Sequence, residues 1–286
     1  DPRSALDSLL TTEPIDAQLT LSPRLGVSFP VTSISKLFFN YGHFRALPDA
    51  DDLYLVRAFA ETGQISRIAN PNAPLPRTVA YELGYEQSFF DQYLARVAGY
   101  YKDVSLQPRL VSYLSRSGAV SYSVSEPNSF EDIRGFEITL SKNRGKWIRG
   151  FVNYTYMVEQ SGYFGFPTIY ENTTEQREQE NSDTARRNAS SQPQPLPYAR
   201  ANLDLFSPDE FGPSLGGFRP LADWRVSFIG RWQDGGKATW AGGGFSAPGV
   251  VNNVEVEDFY SLDLRFARTF DIGRQSVTFF ADIFNL

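Results

Sequence analysis

The sequence predicts an all-β, antiparallel transmembrane β-barrel, present here as a partial barrel. Three observations lead there. Apolar and polar residues alternate through about ten segments. The connections between those segments fall into long and short classes in turn. No stretch approaches the roughly eighteen consecutive apolar residues that a transmembrane helix needs, while an amphipathic strand needs only every second residue apolar.

The alternation is clearest near the end of the sequence. Tyr260, Leu262, Leu264, Phe266 and Phe270 share one parity, broken only by Arg268, against Ser261, Asp263, Arg265, Ala267 and Thr269. Val79, Tyr81, Leu83 and Tyr85 oppose Ala80, Glu82, Gly84 and Glu86. Phe136, Ile138 and Leu140 oppose Glu137, Thr139 and Ser141. Leu25–Phe29, Ala201–Leu205, Trp224–Phe228 and Val277–Ile283 repeat the pattern. A period of two puts each set on one face of a strand. One face is thus nearly free of charge while the other carries Arg, Glu, Asp and Asn in mid-strand. A soluble sandwich with a wet outer face would alternate in the same way, so alternation leaves both architectures open.

Connection lengths favour the membrane. The joins near Pro30–Ser35, Asp91–Gln92, Asn143–Lys146 and Asp271–Gln275 are short, and Ser207–Ala222 is intermediate. Between them run polar stretches at 45–77, 104–130, 159–197 and 233–258. Taken in order, the long ones gather at one end of the sheet, as extracellular loops do in outer-membrane barrels. This holds when 104–130 is one excursion, a hairpin arm standing above the membrane despite its own alternating Val120, Tyr122 and Val124. Residues Glu171–Ser191 contain almost no large apolar side chains and cannot form a core. An open strand edge cannot be satisfied by lipid, so further strands are expected to complete the sheet.

Composition narrows the chemistry. The 286 residues include 23 Phe and 15 Tyr against one Met, which suits strands and lipid-facing girdles. There is no cysteine, which removes disulfides, thiol catalysis and cysteine metal sites. A net charge of -6 gives no support for a nucleic-acid partner. The single histidine, His43, is preceded by Ser35 at the far end of its own segment and followed by Arg45, Ala46 and Leu47. No local nucleophile accompanies it, so the sequence points to a non-enzyme without a cofactor.

Candidate sites follow from residue type and place. His43, at the loop end of its strand, is a weak ligand-contact candidate. Tyr163, Phe164, Phe166 and Tyr170 in the longest connection, and Trp240 and Phe245 in a glycine-rich one, are placed to stack on a ligand, on neighbouring loops or on lipopolysaccharide. Glu82, Glu86, Glu137, Arg225, Arg231 and Arg265 are expected to form a charged network in the lumen with a structural role. Asp49, Asp51 and Asp52 offer carboxylates for Ca²⁺ but lack the spacing of a calcium loop, which favours plain solvated acids.

Several segments resemble the C-terminal half of a TonB-dependent receptor barrel. They are Leu21–Val27, Phe39–Phe44 followed by Pro48 to Tyr54, Tyr81–Glu86, Ala98–Asp103, Arg134–Ile138, Asn153–Tyr156, Asp263–Arg265 and Phe280–Leu286. Their order and spacing cover nearly the whole chain. The resemblance implies a barrel of twenty-two strands around an N-terminal plug, with a TonB box that an energised periplasmic partner pulls. The plug, that box, the first half of the barrel and a closing strand after Leu286 are expected to lie outside this sequence. It implies uptake of a scarce ligand such as a siderophore, cobalamin, glycan or peptide. Its partners would be outer-membrane lipid and lipopolysaccharide, the plug and remaining barrel of the same protein, and TonB. A passive or adhesive barrel and a soluble all-β binding protein are the competing classes. A complete gene without a plug would mark the first, and purification without detergent the second.

Overall fold

A computed structural model describes residues 17–181, 192–216, 218–240 and 250–286. Phe245 lies outside them. The strands in chain order are β1 (Arg24–Thr32), β2 (Ser35–Arg45), β3 (Val56–Ala58), β4 (Ile65–Ile68), β5 (Arg77–Phe89), β6 (Tyr93–Leu114), β7 (Ser121–Lys142) and β8 (Ile148–Tyr163). They continue with β9 (Thr168–Tyr170), β10 (Gln194–Pro195), β11 (Tyr198–Phe206), β12 (Trp224–Gln233), β13 (Lys237–Ala238), β14 (Val254–Glu255), β15 (Phe259–Ile272) and β16 (Gln275–Ile283). Two short helices, Ala50–Tyr54 and Thr173–Asn181, lie in the long connections.

Ten of these strands form one antiparallel path, β1-β2-β5-β6-β7-β8-β11-β12-β15-β16. It is an arc of barrel: β1 and β16 do not pair with each other. Register explains its two faces. One backbone row joins Phe29, Leu37, Tyr85, Val97, Ile138, Tyr154, Ala199, Trp232 and Tyr260 across nine strands without a charge. The adjacent row, one residue along, joins Lys36, Glu86, Arg96, Thr139, Asn153, Arg200, Arg231 and Ser261. Because side chains alternate, the first row faces outward to lipid and the second inward to the lumen.

An open single-layer arc, uncovered on both faces, leaves a large surface. The chain exposes 19940 Å², whereas a compact 32.2 kDa protein exposes about 12,300 Å². Leu83, Val97, Ile138, Leu140, Phe151 and Leu203 are among the exposed large apolar side chains. Lipid covers such a belt at no cost, and water would not.

Turns and long connections segregate as the antiparallel path requires. The β5–β6 turn places Phe90 and Asp91 at φ 53 and 50, and the two-residue β15–β16 turn uses Gly273 at φ 65, where glycine carries no Cβ penalty. At the opposite end β6 and β7 run on to Leu114 and from Ser121. Each is 22 residues, about 70 Å at roughly 3.3 Å per residue, far beyond a membrane belt of about 25 Å. Residues 104–130 are therefore one arm continuous with the barrel wall. Neighbouring connections knit onto it: β4 pairs in parallel with β7, β9 in parallel with β6, and β3 with β4. The result is a five-stranded sheet, β3-β4-β7-β6-β9, made from three connections.

Arg268, the one break in the apolar parity, is accommodated at the short-turn end. It donates to the carbonyls of Arg219 and Pro220 at 2.6 and 2.9 Å and lies over the rings of Phe218, Trp224 and Phe270. Residues 218–220 thus lie over the outward face and remove this charge from lipid.

The two faces predict opposite tolerance. Ile138→Arg, in the uncharged outward row, should cost about 2–4 kcal/mol in a urea-unfolding measurement in vesicles. Ser141→Arg, on the inward face of the same strand, should cost clearly less.

Candidate functional site

The polar chemistry of the molecule is concentrated on the inward face. At the β2–β5–β6 side, Lys36 pairs with Glu86 at 2.9 Å and Arg96 with Glu82 at 2.7 Å. Arg96 also approaches Glu86 at 3.9 Å, and Asn40 donates to Glu82 at 2.9 Å. The Arg96 guanidinium lies over the Phe38 ring, 4.7 Å from its centroid. Phe38 in turn occupies the space over Gly84, where an added Cβ would stand 2.2 Å from the ring. Further along, Thr139 donates to Glu137 and accepts from Asn153.

A second cluster lies on β11, β12, β15 and β16. Arg225 grips Asp204 with Nε and Nη2 at 3.1 and 2.9 Å, and Ser227 donates to the same carboxylate. Arg265 holds Asp282 with the same two nitrogens at 2.6 and 2.8 Å. Such forked pairs are the strong form of the interaction. Of the six residues expected in a lumen network, Glu82, Glu86, Arg225 and Arg265 are ion-paired. Glu137 and Arg231 form no ion pair with a described residue. The partners Lys36, Arg96, Asp204 and Asp282 are visible in the sequence as inward-parity charges, but only the register between strands matches them.

Above the first cluster, towards the long connections, is a concavity of about 550 Å³ lined by Arg24, Glu82, Tyr100, Lys102, Glu137 and Tyr198. Gly135, on β7, lies close to Tyr100, one of the lining residues. A Cβ there would meet Tyr156 O at 2.1 Å and the Tyr100 hydroxyl at 2.9 Å, so any larger residue would displace Tyr100.

The aromatic candidates do not converge. Tyr163 is buried beneath the Arg109 guanidinium, 3.5 Å from its ring centroid. Phe164 packs on Phe130 at 5.0 Å yet stays 67% exposed. Phe166 is half-buried, and Tyr170 belongs to β9, its amide bonded to Gln176. Trp240 is 70% exposed on a different connection, bonded through its backbone to Asn253. His43 faces outward: its Nε2 meets the Tyr41 hydroxyl at 2.5 Å, beside the Tyr41, Tyr81 and Tyr101 ladder. That is a place in an interfacial aromatic belt, turned away from the lumen.

The acidic candidates separate as well. Asp52 pairs with Arg67 and accepts from Ser125, both at 3.0 Å, fastening the 45–77 connection to the arm. Asp49 precedes the Ala50–Tyr54 helix and accepts from the amide of Asp52, while Asp51 accepts from that of Leu55. Among the described residues no group of three or more His, Asp or Glu side chains is arranged to hold a metal ion.

Two carboxylates in the loop region have displaced pKa values. Asp258 is held below the usual range by hydrogen bonds from Trp232 Nε1, the Gly235 amide and the Tyr260 hydroxyl, tying its connection to the aromatic belt. Glu159, where β8 pairs with β10 beyond the spanning region, is raised by burial and then by Glu131. A raised carboxyl binds its proton more tightly folded than unfolded. Its contribution is therefore full below about 4.5 and is lost as pH rises through the higher folded value. Melting temperature measured across that interval should fall with rising pH, and Glu159→Gln should flatten the slope.

Comparison with known proteins agrees with this architecture. The family model described as TonB dependent receptor-like, beta-barrel matches residues 8–286. The crystal structure of the outer membrane transporter YddB from Escherichia coli superposes with a TM-score of 0.63 and 13% identity, covering 93% of this chain and 36% of that one. The copper transporter OprC gives a TM-score of 0.48 and 16% identity over 91% of this chain and 33% of its own. No curated protein matches the chain in sequence. The chain thus spans about a third of the length of these structures. The lipid-facing belt, the charged inner wall and the gathered connections are those of a barrel of the TonB-dependent receptor family, to which this chain belongs, in the outer membrane of a Gram-negative bacterium.

Proposed function

We propose that the chain is part of the barrel of an import receptor that takes up a scarce ligand, such as a siderophore, cobalamin, glycan or peptide, by TonB-coupled transport. The observation that carries this reading is the inner wall. It is densely charged and hydrogen-bonded, and it leads up to a concavity beneath a sheet built from three connections. Membership of the receptor family supports it, and YddB is itself an outer membrane transporter. An N-terminal plug and further strands of the same protein would fill and close the lumen, with TonB acting through the plug. Lipopolysaccharide would meet the outward belt. The ion pairs at 2.6–2.9 Å give the wall a fixed shape against which a plug can move.

The test is uptake by cells carrying the intact parent gene. Accumulation of labelled cobalamin and a panel of ferric siderophores is compared in cells with and without TonB. Uptake of at least one probe that falls to background without TonB is the expected result. Permeation that persists without TonB would show a passive pore, and loss of surface adhesion with no uptake of any probe an adhesin.

A further inference from the structure

The inward row that begins with Lys36, Glu86 and Arg96 changes character along its length. Its first three members are ion-paired, and Thr139 and Asn153 are bonded to each other at 2.9 Å. Arg200 and Arg231 come next, directly opposite one another on β11 and β12. Ser261 ends the row. Like charges directly opposed across an antiparallel pair are destabilising, and a guanidinium cannot shed its proton to escape. Elsewhere on this wall Arg96, Arg225 and Arg265 each have a carboxylate within 2.9 Å. Arg200 and Arg231 have none among the described residues.

Their surroundings offer no substitute. The flanking inward rows hold Thr155, Tyr198, Gln233 and Phe259 on one side and Phe151, Asn202, Ile229 and Asp263 on the other. Asp263, the one acid among these eight, accepts the Asn285 amide at 3.0 Å and pairs with neither arginine. Glu137, opposite Thr155 and one strand further along the first row, forms no ion pair with them either. Arg200 lies over the Tyr198 ring, 5.1 Å from its centroid, which steadies the guanidinium without consuming its N–H donors. Both arginines are exposed, close to the ends of their strands that lead into the long connections. Tyr198 also lines the 550 Å³ concavity.

We propose that Arg200 and Arg231 together form a binding site for an anionic oxygen group, a carboxylate or a phosphate, at the long-connection end of the lumen. An oxyanion between two guanidinium forks relieves their repulsion and accepts hydrogen bonds from both. The group arrives on a soluble ligand or on a side chain from the remainder of the same protein. This site deepens the import reading, resting on it only for the route by which a soluble anion would come.

The experiment uses the intact parent protein in detergent at pH 7 and low salt, with citrate and inorganic pyrophosphate as probes and sodium chloride as control. Melting temperature and calorimetric binding are followed for the wild type, R200Q/R231Q and R200K/R231K. The expected result is stabilisation of the wild type by a probe, lost in the Gln variant and weakened about tenfold in the Lys variant, which keeps charge but not the fork. A wild type indifferent to both probes, with a Gln variant that melts lower than wild type, identifies the anion as a group of the protein itself and also supports the site. A Gln variant that melts no lower and responds to the probes as the wild type does overturns it, as does a Lys variant equal to wild type. None of these readouts depends on TonB, so a failed uptake test leaves them interpretable.

Discussion

Backbone hydrogen bonding in lipid is the constraint on which the rest of this molecule depends. An amide or carbonyl facing hydrocarbon has no water to bond, so every spanning strand must lie in register with a neighbour. Once register is set, the period of two divides the side chains between two solvents. The row from Phe29 to Tyr260 can then be wholly apolar while the next row carries Lys36, Glu86 and Arg96. A slip of one residue between any two strands would bury charge in lipid and place Ile138 or Val97 in the lumen. Register is therefore held by the solvent on both sides as well as by the ladder itself.

The inner wall shows how the same constraint is put to use. Lumenal charges are close enough across strands to pair directly, and the structure pairs them in the lower half of the wall: Lys36 with Glu86, Arg225 with Asp204, Arg265 with Asp282. Forked arginine–carboxylate pairs restrict both side chains and give a stiff surface. Higher up, Arg200 and Arg231 stand opposite each other, with no ion-pair partner among the described residues. Stiff walls below and a free guanidinium pair near the mouth would divide the wall between a frame and the proposed anion site.

The long connections are organised by pairing as well. The arm formed by β6 and β7 leaves the membrane as a two-stranded ribbon, which alone would be marginal in water. β4 and β9 add to its edges, and Asp52 joins Arg67 and Ser125 beneath. Val111 and Ser125 are almost fully buried there, a small core above the barrel. The connections thus form a folded cap with defined surfaces, on which Phe164 is displayed while Tyr163 is taken into the packing.

Strand number, facing and the separation of long from short connections were all legible in the sequence, because each depends on local period and length. Tyr81, Leu83 and Tyr85 could be set against Glu82 and Glu86 without any partner strand. The excursion at 104–130 could be placed from the alternation of long and short connections, because a spanning strand there would put a long loop on the short side. Which charges pair could not, since Lys36 and Glu86 are fifty residues apart and only inter-strand register brings them together. The same holds for the facing of His43 relative to the aromatic ladder, for Arg268 inside its ring and carbonyl cage, and for the joining of three connections into one sheet. The sequence by itself determined which side chains share a face of each strand, since alternation is a property of neighbouring residues. The tertiary structure decided who stands opposite whom, and it is that register which leaves Arg200 beside Arg231 with no acid between them.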